Sequence, residues 1–311
     1  MIQLPANLKS GIKELLSVPE LLLGSWTGVS AKECSYCGSS KIRLYPRNYL
    51  RLAYEVPEEA LKYKDQLRRR DNGRCLECGL DQAFYKFSPE GRRLFYKLGL
   101  EVLSTQNEYG TYPPSDEWVR SVSEINYAKR LPKWDEFLRS RGVRKLGQVL
   151  QLRFDYGRAL RHFSKNYGAE TWGMEMTHPC ELYARENLPE VRVLEGRLEG
   201  LIEAAPPRGV RFDLIICFHT LTHSMNLKQD LLTLRSLLSD EGSVIFCDEV
   251  TKKFENPLHL IHFDERTFTK ILSEVFGRVD RVDDCGDVSE FIAPYTRRGD
   301  NPDLIVSRGN G

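Results

Sequence analysis

From residue 143 onward, short apolar runs alternate with segments of helical spacing. The runs at 148–152, 171–174, 191–194, 212–218 and 243–248 read as strands, and helices are expected to start near Gly157, Pro179, Leu198, Leu227 and Asp264. Strands interleaved with helices of roughly ten to fifteen residues are the signature of successive βαβ units, whose crossovers impose a parallel sheet. Two further runs, 278–282 and 303–307, have no helix between them, so an antiparallel end is expected. The stretch 291–301 between those runs reads as an exposed loop, conceivable as a lid through Pro294, Tyr295, Arg297 and Arg298. The pattern therefore predicts an α/β domain over 146–311, a Rossmann-like, doubly wound, seven-stranded sheet.

Upstream the pattern is different. Residues 1–30 read as an amphipathic helix, and 31–88 hold short apolar runs, turn residues and two cysteine pairs. Residues 89–145 are helical in pattern. Trp118, Val119, Val122, Ile125 and Tyr127 fall near helical spacing, and Trp134, Phe137 and Leu138 repeat it after Pro132. This stretch is expected to be a helical connector.

Composition narrows the function classes. With 41% hydrophobic and 29% charged residues, the chain can bury an ordinary globular core. Its net charge of +1 gives no chain-wide field for nucleic acid or membrane. No run approaches the roughly 20 apolar residues of a membrane span. The apolar start is broken by Pro19 and Glu20 and has no cleavage signal, so a cytoplasmic protein is expected.

Of eight cysteines, four form two matched knuckles, Cys34-Ser-Tyr-Cys37-Gly and Cys75-Leu-Glu-Cys78-Gly. Each C-x-x-C turn sets two thiolates on one side of a tight loop, and the following glycine lets backbone amides turn toward sulfur. Four thiolates make a closed tetrahedral set that suits zinc in a structural role. The segment between the knuckles carries Lys41, Arg43, Arg47, Arg51, Lys62, Lys64 and Arg68 to Arg70 among tyrosines. Glu55, Glu58, Glu59 and Asp65 are mixed in, so a solvated surface is expected rather than a nucleic-acid interface.

The later motifs are more specific. Val149-Leu150-Gln151-Leu152, Trp172-Gly173-Met174-Glu175-Met176, the run from Phe212 to His223, Leu237 to Val244, and His259-Leu260-Ile261-His262-Phe263 occur in order. This series resembles class I methyltransferases that use S-adenosylmethionine. With the cysteine knuckles in front, it resembles the sugar C-methyltransferase group, whose further C-terminal domain a chain of 311 residues is too short to hold. The resemblance implies a small-molecule acceptor, plausibly a sugar or nucleotide sugar. It implies cofactor contacts from Gln151, Asp155, Gly157, Glu175, Met176, Arg197 and Phe218, with Glu175 accepting from the ribose hydroxyls. Four histidines offer a base: His219, His223, His259 and His262. Of these, His219 at the strand edge and His259 before the last helix are favoured, and Asp248 and Glu249 stand where they could touch substrate.

The sequence departs from that family at the glycine-rich turn. Gln151 replaces the strand acid, Arg153 and Asp155 replace two glycines, and only Gly157 remains. Beyond the third strand, Gly196 is followed by Arg197, a donor where an acceptor is usual. Three readings stay open at this point. The cofactor binds in an adjusted pose with Asp155 toward its ammonium; or Arg153 pairs with Asp155 or Glu175 and fills the pocket, leaving a catalytically silent binding or assembly partner; or Arg153 and Arg197 hold an anionic ligand.

Overall fold

The computed structural model describes residues 32–47, 70–84, 113–175, 178–194, 209–250, 259–284 and 288–294. The expected N-terminal helix, the helix near Leu198, the strand at 303–307, most of the basic segment, Met176 and Arg197 lie outside the described residues.

Among the described residues the central sheet has seven strands: β4 (Gln148–Leu152), β5 (Glu170–Met174), β6 (Val191–Leu194), β7 (Phe212–Phe218), β8 (Leu238–Glu249), β10 (Asp280–Asp284) and β11 (Val288–Pro294). Their order is β10-β11-β8-β7-β4-β5-β6. The pairs β4/β5, β5/β6, β4/β7 and β7/β8 are parallel, whereas β11 runs antiparallel to both β8 and β10. The chain thus winds one way from β4 through β5 to β6 and then returns to the other side of β4 at β7. That reversal leaves a crevice outside the carboxyl ends of β4 and β7, where open α/β sheets bind ligands.

One strand departs from the sequence pattern. The partner of β8 is β11 at Val288–Pro294, which overlaps the stretch read as a loop from residue 291. Residues 291–294 are therefore strand and not part of a lid. Phe291, Ile292 and Ala293 pair with Phe246, Ile245 and Val244, so the local apolar run is consumed by the sheet.

Alternation along the strands divides the core in two. Leu150, Leu152, Ile215, Cys217, Val244 and Phe246 face one side, where helices α5 (Leu227–Leu237) and α6 (Glu265–Phe276) pack. Val149, Leu214, Ile216, Phe218, Ile245 and Cys247 face the other. There they meet α1 (Asp116–Tyr127), α2 (Arg130–Ser140) and α3 (Arg158–Tyr167), while α4 (His178–Asn187) carries the buried Ala184 to the same layer. Caps fix the helix ends: Ser115 accepts from the Trp118 amide to start α1, and Asp264 accepts from the Thr267 amide to start α6. Pro132 falls in the first turn of α2, where its missing N–H costs no intrahelical bond.

The cysteine segment forms a second sheet that is not self-contained. Strands β1 (Ile42–Arg47), β2 (Arg70–Cys75) and β3 (Asp81–Ala83) are antiparallel, and β3 pairs with β9 (Ile261–His262), which comes from the chain just before α6. Leu80, Cys34 and Cys75 join the same apolar cluster as α5 and α6.

Candidate functional site

The turn from β4 into α3 lies at the crevice. Its backbone is left-handed at three alternate positions: Arg153 (φ 56°), Asp155 (φ 51°) and Gly157 (φ 74°). These are the three positions of the glycine pattern, so the looped path persists although two residues carry side chains. A non-glycine residue in this region is strained and has to be held by its surroundings. A side chain at Gly157 would be strained at this φ and would force Leu188 to move, because a Cβ there would lie 2.2 Å from Leu188 Cδ1. Gly173 on β5 leaves room for the Phe154 ring, which a Cβ would meet at 2.5 Å.

Asp155 is held from both sides. Its backbone N–H donates to Glu175 Oε2 at 3.0 Å, and its Oδ2 accepts from Asn126 Nδ2 at 3.0 Å and from the Tyr127 hydroxyl at 3.2 Å. Burial, reinforced by the Glu175 charge and opposed by Arg153, pushes the Asp155 carboxyl up to about 7. Helix α1 is thereby fastened over the loop, with Trp118 Nε1 donating to the Tyr156 hydroxyl at 3.0 Å. The Tyr127 hydroxyl donates to Asp155 and accepts from Gln151 Nε2 at 2.9 Å, which fixes the orientation of the Gln151 amide. Gln151 Oε1 is left buried with no hydrogen-bond partner.

Arg153 reaches the opposite way, across the end of β7. Its Nη1 donates to the His219 carbonyl at 2.6 Å and lies 3.3 Å from His223 Nε2. His219 is half-buried in a left-handed conformation (φ 45°), with its N–H donating to the Cys247 carbonyl. Phe218 is buried among Tyr127, His219 and the Arg130 guanidinium, and so belongs to the core wall beneath the crevice. His223 sits on a 3-10 turn, Leu221–His223, with its ring 4.9 Å from that of His259, and the His262 ring is 6.4 Å farther on. Asp248 differs from expectation. Its fully buried carboxylate accepts from the amides of Thr220, Leu221 and Thr222, so it braces the turn and does not face a substrate. The Glu249 side chain lies outside the described residues.

The two knuckles close on each other with matching backbone bonds. Gly38 and Gly79 donate to the carbonyls of Cys34 and Cys75, and both glycines are left-handed (φ 73° and 85°). The Sγ atoms of Cys34, Cys37, Cys75 and Cys78 all lie within 4.8 Å of one another, with Cys34–Cys78 and Cys37–Cys75 at 3.5 Å. Zinc bound at about 2.3 Å holds its four sulfurs about 3.8 Å apart, so the donor set fits that ion. The hydrogen bond from Cys78 holds the Cys34 thiol down to about 5, and the same bond together with burial pushes Cys78 up.

The cluster is tied to the crevice. Ala83 N–H donates to the Leu260 carbonyl, and Leu260 N–H donates to the Thr222 carbonyl, both at 2.7 Å. Gln82 accepts from the amide and hydroxyl of Ser35, and the Tyr36 hydroxyl donates to Glu274 Oε2 on α6 at 2.6 Å. Sequence reasoning missed Asn126, Tyr127 and Gln82. Tyr127 was visible only as one apolar position of a helix, and no local motif marked the other two.

No family model matches the chain, and no curated protein matches its sequence. Some solved structures are similar to it in part. The carbon methyltransferase CurJ is 14% identical, with 67% of each chain covered and a TM-score of 0.47. The plantazolicin methyltransferase BpumL is 10% identical over 67% of this chain and 98% of its own, with a TM-score of 0.47. An amino pentose methyltransferase from Micromonospora echinaspora is 13% identical over 58% of this chain and 98% of its own, with a TM-score of 0.43. The mostly parallel sheet and the four-cysteine cluster are observed in this chain itself.

Proposed function

We propose that the chain is an S-adenosylmethionine-dependent methyltransferase acting on a small molecule, with a sugar or nucleotide sugar as the acceptor class that the sequence resemblance implies. The observation that carries this reading is Gln151 Oε1, a buried acceptor without a donor at the switch point of the sheet. Gln151 is linked to the Asp155 carboxyl through the Tyr127 hydroxyl, and the Glu175 carboxyl accepts from the Asp155 amide. A buried acceptor linked to two carboxyls calls for a cation that donates hydrogen bonds, and the cofactor's ammonium is such a group. Glu175, at the end of β5, is assigned to the ribose hydroxyls, and the left-handed turn at 153–157 to the methionine part.

The cofactor supplies an already activated methyl group on a sulfonium. The protein has then to orient the acceptor and remove a proton. His219, just after β7, and His259, whose ring lies 4.9 Å from that of His223, are the assigned bases. Zinc on Cys34, Cys37, Cys75 and Cys78 is assigned a structural role, because four thiolates leave no open position. The modules are assigned the boundaries read from the sequence, an N-terminal helix at 1–30, a ribbon at 31–88, a connector at 89–145 and a sheet domain at 146–311, with β9 of the last segment lent to the ribbon's sheet.

Calorimetric titration with S-adenosylmethionine and S-adenosylhomocysteine tests the reading. Binding is expected, weakened roughly ten- to a hundredfold in Glu175→Ala through loss of a charge-assisted bond. A folded protein that binds neither compound would overturn it and leave the fold as a binding or assembly partner.

A further inference from the structure

We propose that Gln82 is a positioning residue of the crevice: its side-chain amide grips the first cysteine knuckle, its backbone grips β9, and the two together set where His259 stands. This rests on the methyltransferase reading for the role of His259, but not for the geometry. In the three-residue strand that follows the second knuckle, the one buried side chain is polar. A buried amide needs partners, and Gln82 has them. Its Oε1 accepts from the Ser35 amide at 2.9 Å and from the Ser35 hydroxyl at 2.8 Å, and its Nε2 donates to the Glu33 carbonyl at 2.8 Å. Residues 33 and 35 flank Cys34, so the amide spans that cysteine much as a neighbouring strand would. With one donor edge and one acceptor edge, it fits this stretch in a single orientation.

The backbone of the same residue carries the constraint onward. Gln82 pairs with Ile261, and the Ala83 N–H donates to the Leu260 carbonyl at 2.7 Å. β9 is only two residues long, and a strand slipped by one residue turns its side chains to the opposite face. Its register therefore follows that of β3, which Gln82 fastens to the knuckle. The Leu260 N–H donates to the Thr222 carbonyl, and the buried His259 that precedes it stands with its ring 4.9 Å from that of His223. Two other ties of the cysteine segment go elsewhere, Tyr36 to Glu274 on α6 and Arg74 to Asp264 at its start. They hold the segment to α6 and do not pass through β9, so docking and positioning are separable. Zinc on Cys34 would stiffen the stretch that Gln82 grips, which links metal occupancy to the place of His259.

Imidazole 1H–15N correlation spectra of the full-length, 15N-labelled, zinc-loaded protein test this, with the His259 signals assigned by their loss in His259→Gln. Gln82→Leu keeps all four thiolates and the ties to α6 but removes the three side-chain hydrogen bonds. In that variant the His259 signals are expected to move, and the Leu260 amide to exchange at least about tenfold faster, as for the loss of one net hydrogen bond. His162 on α3, at the other face of the sheet, is the reference in the same spectra and should stay in place. Unmoved His259 signals in Gln82→Leu would refute the proposal, as would equal movement at His162, the mark of a general loosening. Ser35→Ala removes one of the three bonds and decides the matter if Gln82→Leu fails to hold zinc: moved His259 signals support the joint, and unmoved signals overturn it. S-adenosylhomocysteine titrated into the wild type separates the two readings. Binding, with His259 signals unmoved in both variants, would sink the joint and leave the cofactor reading standing. Absence of binding, with the expected spectra, would sink the cofactor reading and leave the joint.

Discussion

Asp155 carries the clearest consequence of placing a side chain at a left-handed position of the turn. In the folded chain its carboxyl titrates near 7, against an ordinary value of 3.8, because burial and Glu175 disfavour its charge. The folded state therefore keeps a proton that the unfolded chain releases above about pH 4. Stability from this group is full below that value and is lost as pH rises through about 7. Asp155→Asn is expected to flatten the fall in melting temperature between pH 5 and pH 8, and an equal fall in both proteins would refute the assignment. Gly157 makes a simpler demand. Gly157→Ala adds a Cβ against Leu188 at a left-handed position and should destabilise the fold by about 1–3 kcal/mol, read from a urea midpoint. The spacing of Gln151, Arg153, Asp155 and Gly157 was legible in the sequence, but the directions of their side chains were not. Asp155 turns to α1 and Arg153 to β7 because Asn126, Tyr127, His219 and His223 are brought there by elements far away in the chain.

Among the elements, β9 shows how little two residues reveal in isolation. The His259 to Phe263 run reads as a motif before a helix, yet its Ile261 and His262 complete the sheet of the cysteine segment. Because Leu260 also donates to Thr222, a backbone ladder runs from the knuckles to the turn that carries His223. Loss of metal should loosen that ladder first. After treatment with a zinc chelator, hydrogen exchange at the Leu260 amide is expected to accelerate at least about tenfold, while the amides of β4 and β5 stay protected. Equal acceleration throughout the sheet would show that the cluster supports the whole fold and not this edge. The same reasoning explains why residues 291–294, read as loop, are strand. An apolar run such as 288–294 pairs wherever an unpaired edge is available, and β8 offers that edge.

For the whole molecule, ligand linkage gives a test that needs no knowledge of the acceptor. S-adenosylhomocysteine at a hundred times its Kd should add about 2.7 kcal/mol of stability, and the gain should be largely absent in Glu175→Ala. An equal gain in that variant would place the ligand away from the switch point. None of the helices among the described residues is long and apolar enough to cross a membrane. The sequence by itself determined the βαβ succession, because alternating apolar periods leave a chain few ways to bury its strands. It also determined the four-cysteine set, because thiolate chemistry and C-x-x-C spacing act over a few residues. Tertiary structure alone decided what faces the crevice. Whether an arginine fills a pocket or reaches across a strand end, and whether an aspartate braces a turn or meets a substrate, depends on groups that only folding brings within a hydrogen bond.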